Sequence, residues 1–245
     1  MVTEVKQQTI SDIVRNDYRT ADVFRRYGIN YCCGGNSTLQ EVCTLKYLNH
    51  EQIQLELSNA TKNIVIPASI GFDKWNIDFL VDYISNVHHV YVNETLPSLA
   101  AVLNSFVNRH RKKFSFLENL QEVFSELSRL ILEHTREEDE KIFPYIKQIS
   151  HTHKHKEIYG RLFVKTLSKP LHQVVQSDHK HIAALLAEHR SIANNYDYDD
   201  TACTNHRVVF QKLKELDADT MQHKHLENNI LFPKAIALER ELLDL

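Results

Sequence analysis

Glycine and proline are scarce in this sequence: each occurs five times among 245 residues. Average proteins contain roughly 7% glycine and 5% proline. This shortage disfavours collagen-like, low-complexity and turn-rich all-β folds. The sequence also lacks an apolar run of the roughly 18 to 20 residues that a membrane span needs. Residues 1–15 contain no hydrophobic segment of the secretory type. We therefore expect neither a membrane span nor a signal peptide.

Cysteine is limited to four residues, which are Cys32, Cys33, Cys43 and Cys203. Two of them are adjacent, which is not typical of a disulfide framework, so we expect a cytoplasmic protein. The formal net charge is −3. Because a nucleic-acid-binding domain is usually basic, we expect no nucleic-acid partner. The hydrophobic fraction of 42% and the charged fraction of 25% are ordinary for a globular protein.

Apolar residues recur at helical spacing along most of the chain, and strand patterns are scarce. The sequence therefore predicts an all-α fold, with a small N-terminal helical domain and a C-terminal four-helix bundle. The N-terminal domain is expected at 1–62, a linker at 63–77 and the bundle at 78–245. The long helices are expected at about 77–110, 115–147, 170–194 and 204–243. Two capping boxes are expected, Ser37 with Gln40 and Ser115 with Glu118.

Histidine is abundant, with 15 residues, and part of this histidine lies in a duplicated motif. His134 and Glu138 are followed by Ile-Phe-Pro, and His223 and Glu227 are followed by Leu-Phe-Pro, so both copies read H-x3-E-x3-[IL]-F-P. The helix before each copy carries a single candidate histidine, His89 in the first half and His179 in the second. The neighbouring His88, His181 and His225 leave the choice of these single histidines open on spacing alone. The run from His151 to His155 is expected to be an exposed loop.

The spacing within the motif favours a metal site. Residues i and i+4 share one helix face, so each His/Glu pair can present a nitrogen and a carboxylate at one place. Four histidines and two glutamates are too many ligands for one tetrahedral ion and suit two ions bridged by the two carboxylates. Imidazole and carboxylate without thiolate allow iron, manganese or zinc. We favour iron, because manganese prefers more oxygen ligands and structural zinc prefers four closed ligands.

The adjacent Cys32 and Cys33 lie on a glycine-rich loop just before an expected helix. The amino terminus of a helix lowers the pKa of a nearby thiol. A disulfide between adjacent cysteines is strained, and strained disulfides are redox-active. A redox, persulfide or metal-transfer role is therefore one interpretation of Cys32 and Cys33. Two small residues that pack beside a turn are the other.

The Tyr31-Cys-Cys-Gly-Gly35 loop followed by two H-x3-E motifs resembles the Ric (repair of iron centres) proteins, over nearly the whole chain. These are bacterial di-iron proteins with a short ScdA-type N-terminal domain and a hemerythrin-like bundle, and they restore damaged iron–sulfur clusters. The resemblance implies that two irons are bound by the residues that match the family's ligands, which are His89, His134, Glu138, His179, His223 and Glu227. It implies that His89 rather than His88 is a ligand, and that Glu138 and Glu227 bridge the irons together with an oxo or hydroxo group. It also implies that Cys32 and Cys33 contribute to repair.

The function expected from this resemblance is repair of iron–sulfur clusters after nitrosative or oxidative stress, by iron delivery. Damaged iron–sulfur proteins are the expected clients, and nitric oxide or O2 the expected small ligands. Whether the centre also reduces nitric oxide, and whether the chain is a monomer or a homodimer, is left open. The alternatives are a hemerythrin-like module that binds or senses oxygen or nitric oxide, and a zinc-loaded structural bundle.

Overall fold

Helices joined by loops make up the parts of the chain described by the computed structural model, which are residues 8–32, 35–62, 70–157, 159–165, 171–174 and 177–244. Over these ranges there is no β-strand, only an isolated bridge between Thr9 and Thr38. The predicted all-α fold is confirmed. The α-helices are α1 (Ile10–Asn16), α2 (Thr20–Arg26), α3 (Leu39–Lys46), α4 (His50–Ala60), α5 (Ile77–Tyr83), α6 (Val90–His110), α7 (Leu117–Glu137), α8 (Phe143–His155), α9 (Gly160–Val164), α10 (Leu171–Val174), α11 (Ser177–Ile192), α12 (Thr204–Leu226) and α13 (Phe232–Asp244).

The chain divides into two compact units. One contains the described residues of Met1–Pro67 and Tyr196–Leu213, and the other those of Ala68–Asn195 and Lys214–Leu245. The division therefore falls inside α12, whereas the sequence places all of 78–245 in the bundle. The predicted linker at 63–77 is described only from residue 70 onwards, and it includes a short 3-10 turn at Phe72–Lys74.

The first unit is built from short helices with strong amino-terminal caps. Thr9 caps α1 in a capping box with Asp12, and Thr38 caps α3 in a capping box with Glu41. The predicted box of Ser37 with Gln40 is therefore wrong by one residue. The side chain that accepts from the third backbone N–H belongs to Thr38, and the backbone carbonyl of Ser37 instead accepts from the N–H of Ile10. Buried apolar side chains from each of α1 to α4 form the core, among them Ile10, Phe24, Leu39 and Ile53.

The second unit is a four-helix bundle. Its α7 packs against both α6 and α11, and its α8 packs against both α5 and α13. Apolar side chains from α5, α8 and α13 interlock with those of the segments between them. One cluster of this core includes Leu80, Ile84, Phe143, Ile146, Leu226, Leu231 and Phe232. This packing holds the long helices side by side and fixes which of their faces point inward.

Three of the long helices contain a π-turn. The π-turns are Ile84–His89, Glu138–Ile142 and Glu227–Leu231. The hydrogen bonds that close the last two run from Phe143 N–H to the Glu138 carbonyl and from Phe232 N–H to the Glu227 carbonyl. A proline follows each of these donors and has no N–H of its own, so the widened turn ends where the proline begins. π-turns of this kind occur often at functional sites.

The second long helix differs from its prediction at both ends. It begins at Leu117 after Phe116, without a side-chain cap, so the predicted capping box of Ser115 with Glu118 is wrong. It continues through α8 to His155, so the segment from His151 to His155 is helical and not a loop. The helix extends because Ile149 and Thr152 keep one face buried beyond the predicted end.

None of the described helices combines the length and the apolar character that crossing a membrane requires.

Candidate metal centre

Six side chains from four helical segments meet in the interior of the bundle. His89 ends the first π-turn, His134 lies late in α7, and His179 lies in the first turn of α11. His223 lies late in α12, and a glutamate begins each of the other two π-turns, Glu138 and Glu227. The structure thus brings together all six residues that the sequence singles out as candidate metal ligands.

The donor atoms fall into two groups, within each of which they lie no more than 4.8 Å apart. Position 1 comprises His89, His223, Glu138 and Glu227, and position 2 comprises His134, His179, Glu138 and Glu227. Each position therefore has two histidines of its own. The two glutamates belong to both positions.

At position 1 the Nε2 atoms of the two histidines lie close to each other and to the shared glutamates. His89 Nε2 lies 3.1 Å from His223 Nε2, and His223 Nε2 lies 2.6 Å from Glu227 Oε1. His89 Nε2 also lies 3.4 Å from Glu138 Oε2. The ring of His89 stacks on Phe143.

Position 2 repeats this arrangement. His134 Nε2 lies 2.9 Å from His179 Nε2. The same His134 nitrogen lies 3.3 Å from Glu138 Oε2, and His179 Nε2 lies 3.6 Å from Glu227 Oε2. The duplicated sequence motif is therefore matched by a duplicated site.

The donor set fits metal cations. Metal–imidazole bonds are about 2.1 Å long, so two nitrogens at right angles on one ion lie about 3 Å apart, which is the separation seen within each histidine pair. Glu138 Oε2 and Glu227 Oε2 are buried and accept no hydrogen bond. Leaving buried carboxylate oxygens unsatisfied is costly, and cations would satisfy them.

The electrostatics of the site also favour a bound cation. Burial acts to lower the pKa of His89, but contacts with Asp139, Glu138 and Glu227 outweigh it and raise that pKa to about 11. Burial acts to raise the pKa of Glu227, but His223 outweighs it and holds that pKa well below its usual value. The Glu227 carboxylate therefore stays ionised, and the His89 imidazole holds its protons more firmly than an ordinary histidine does. A bound cation would displace those protons.

The structure distinguishes the two adjacent histidines of the first helix. His89 belongs to position 1, whereas His88 does not belong to either group. His88 is equally buried, but its Nδ1 lies 2.8 Å from Asp219 Oδ1, and its ring stacks flat on His223. Of the other competing histidines, His181 is an exposed residue that faces Glu126.

Two residues that the sequence patterns did not single out contact the outer nitrogens of the single histidines. Asp139 Oδ1 lies 2.9 Å from His89 Nδ1, and Asn228 Oδ1 lies 2.8 Å from His179 Nδ1. The signal was present in the duplicated motif, because each of these residues directly follows one of the shared glutamates.

The cysteine loop is described only in part. Cys32 is half-buried, and its backbone N–H donates to Asn30 Oδ1. The predicted second thiol, Cys33, lies outside the described residues. Gly35 ends the loop where a side chain would not fit, because a Cβ there would lie 2.6 Å from the Tyr31 carbonyl oxygen. The Gly35 carbonyl accepts from the N–H of Ser11 at the start of α1.

Comparison with known proteins gives matches to both parts of the chain. Residues 6–61 match the ScdA_N domain of unknown function, and residues 84–235 match the hemerythrin HHE cation binding domain. The iron-sulfur cluster repair protein ScdA of Staphylococcus epidermidis is 27% identical over 229 residues, which cover 94% of this chain and 98% of the relative. The iron-sulfur cluster repair protein YtfE of Escherichia coli is 28% identical over 234 residues, which cover 96% and 99%.

These matches confirm the resemblance indicated by the cysteine loop and the two H-x3-E motifs. The second match spans more than half of the chain and contains all six clustered side chains. The chain belongs to the family of proteins with a hemerythrin HHE cation binding domain.

Proposed function

We propose that this chain repairs damaged iron–sulfur clusters and that it does so with two iron ions held at positions 1 and 2. The observation that carries the proposal is the sharing of Glu138 and Glu227 between two groups of otherwise separate histidines. A single ion would leave one histidine pair without a partner. Two ions bridged by the glutamates use every donor in the cluster.

The donor chemistry supports iron. Imidazole and carboxylate donors suit iron in its ferrous and ferric states, and no thiolate belongs to either group. When bound, iron supplies a redox-active cation that can be given to a damaged cluster. The histidines would hold the cations, and the glutamates would neutralise part of their charge. The aromatic rings of Phe143 and Phe232, which lie against His89 and His179, keep bulk water away.

The curated relatives support the repair activity, because both are named iron–sulfur cluster repair proteins and align with nearly the whole of this chain. Damaged iron–sulfur proteins are the proposed clients, with nitric oxide and O2 as the proposed small ligands. Cys32 and Cys33 are proposed to act in transfer. The cytoplasmic location, the monomeric or dimeric state and any reduction of nitric oxide remain predictions.

The decisive test combines metal analysis with a repair assay. The full chain from iron-replete cells should contain two irons, with the spectroscopic signature of an antiferromagnetically coupled pair. An iron–sulfur enzyme damaged by nitric oxide should recover activity when the loaded chain is added, and should not recover with the metal-free chain. Two zinc ions in place of iron, or a reversible oxygen adduct without repair, would refute the proposal in favour of a structural bundle or an oxygen carrier.

The adjacent His88 and His89 provide a matched pair of variants for the metal analysis. His89→Gln removes a donor of position 1, so the iron content should fall towards one ion per chain. His88→Gln removes an equally buried imidazole from the same turn and should leave two. Equal iron contents in the two variants would contradict the assignment of His89.

A further inference from the structure

The two positions differ in the residues that support their histidines. Each shared glutamate is followed by a short side chain that contacts the Nδ1 atom of a single histidine on another helix, Asp139 for His89 and Asn228 for His179. The two distances are similar, but one contacting group is a carboxylate at ion-pair distance from His89 and the other is an amide hydrogen-bonded to His179. Ser85 Oγ donates to Asp139 Oδ1 at 2.7 Å and helps to hold that carboxylate in place.

The group beside Nδ1 affects a metal held at Nε2. An outer partner fixes the orientation of the ring and raises the basicity of the ligating nitrogen. A carboxylate does this more strongly than an amide, because contacts with an ionised group are roughly twice as strong as neutral ones. His89 should therefore be a better electron donor than His179, although both are imidazoles.

Two further observations indicate that position 2 binds its cation more weakly than position 1. The side chains of His134 and His179 are 11% and 6% exposed, whereas those of His89 and His223 are 1% and 3% exposed. Lys224 lies beside position 2, where its Nζ donates to the backbone carbonyl of His179 at 2.9 Å. Water reaches position 2 more easily, and a nearby ammonium group disfavours a cation there.

We infer that Asp139 and Asn228 are positioning residues that make the two positions unequal, so that position 1 retains its cation and position 2 releases its cation first. This inference rests on the proposed function, because it names the iron that would be delivered. Release transfers no electrons: the cation leaves with its charge to a chelating acceptor, and water supplies protons to the vacated imidazoles. The glutamates and the position 1 histidines keep the remaining ion.

The test measures cation release from the full chain. The chain is loaded anaerobically with ferrous iron and mixed with an excess of an aromatic-nitrogen chelator that colours on binding Fe²⁺. Two phases of equal amplitude are expected. Asp139→Asn should accelerate only the slow phase, and Asn228→Asp should slow only the fast phase, each by about 10- to 100-fold, which is the usual effect of an outer partner on metal affinity.

Asp219→Asn is the matched control. It neutralises a carboxylate that lies 2.8 Å from the Nδ1 of His88, a buried histidine outside both groups. Both release phases should be unchanged in this variant. An equal effect of Asp219→Asn and Asp139→Asn would show that only the local net charge matters, and would overturn the inference.

The outcomes separate this inference from the proposed function. Two irons that leave in one phase, or in two phases that neither substitution shifts, would overturn the unequal positions and leave the di-iron proposal intact. Fewer than two irons in the unmodified chain would overturn both. If Asp139 had a merely structural role, Asp139→Asn would accelerate both release phases. The two substitutions predict opposite changes, so either variant decides the question if the other fails to fold.

Discussion

His89 Nε2 and His223 Nε2 lie 3.1 Å apart although 134 residues separate them in the sequence. Neither nitrogen can satisfy the other without a shared proton, and both face carboxylates that are fully buried or nearly so. The same relationship joins His134 to His179 at 2.9 Å. Without bound cations, two such histidine pairs around two shared glutamates contribute little to the stability of the folded chain. The reason is that the buried negative charges of the glutamates must be compensated by positive charge. The cluster therefore makes metal binding and folding stability interdependent.

The first prediction concerns the shared glutamates. Glu138→Ala or Glu227→Ala should lower the iron content well below two ions per chain, since each glutamate belongs to both positions. Metal analysis of the purified variants is the measurement. Glu239→Gln is the control, because Glu239 is also a buried carboxylate but accepts hydrogen bonds from the Tyr145 hydroxyl and the Leu171 N–H. Retention of two irons in both alanine variants would remove the bridging assignment.

The second prediction concerns thermal stability. Removing the metal with a chelator should lower the melting temperature of the full chain, because a ligand that binds only the folded state stabilises it. Calorimetry before and after chelation measures the shift, and re-addition of ferrous iron should reverse it. The Glu227→Ala variant should show a smaller shift than the unmodified chain. A melting temperature that is the same with and without metal would refute the coupling between binding and folding.

Much of the site could be predicted from the sequence because helical spacing is a local property. Residues four apart lie on one face of a helix, so the pairs of His134 with Glu138 and His223 with Glu227 could be recognised without coordinates. The choice of His89 over His88 could not be derived in that way. The π-turn Ile84–His89 changes the face that each residue presents, and only the resemblance to a family singled out His89, the residue that lies in the cluster.

The wrong predictions at the helix ends also have a physical cause. The segment from His151 to His155 is polar in sequence, yet Thr152 is fully buried and its hydroxyl donates to Glu157 Oε2. A buried polar residue with a partner continues a helical face that a hydrophobicity pattern does not reveal. Likewise, Ser37 and Thr38 are both good caps by residue type, and the tertiary contact of Ser37 with Ile10 decides between them.

The third prediction concerns the ion pair of Arg190 with Asp217, which links α11 to α12. Asp217 accepts from both Nε and Nη2 of the guanidinium group, each at 2.6 Å. Asp217→Asn should lower the free energy of unfolding by about 2 kcal/mol, because paired hydrogen bonds to a largely buried carboxylate are lost. Urea unfolding at constant metal content measures the change.

Glu133→Gln is the control for that measurement. Its carboxylate pairs with Arg129 on an exposed helix face at 2.7 Å, where solvent screens the charges. We expect a change of no more than about 0.5 kcal/mol. A loss at Asp217 no larger than the loss at Glu133 would contradict the assigned role of the Arg190 pair.

The fourth prediction concerns pH. His189 is buried on α11 beside Phe124, and burial lowers its pKa to about 4, although Asp217 acts in the opposite direction. An unfolded histidine has a pKa near 6.5. Between these two values the unfolded chain takes up a proton that the folded chain does not, so acidification favours unfolding. This contribution to stability is present above pH 6.5 and is lost as the pH falls to about 4.

The measurement compares the chelator-treated chain with its His189→Phe variant, since the histidines of the metal centre titrate alike in both. The difference between their free energies of unfolding should shift by about 3 kcal/mol in favour of the variant between pH 7 and pH 4, as a pKa displacement of this size requires. Phenylalanine keeps an aromatic ring against Phe124, so the packing is similar at both pH values. A difference that does not change with pH would mean that His189 is protonated in the folded chain as readily as in the unfolded one.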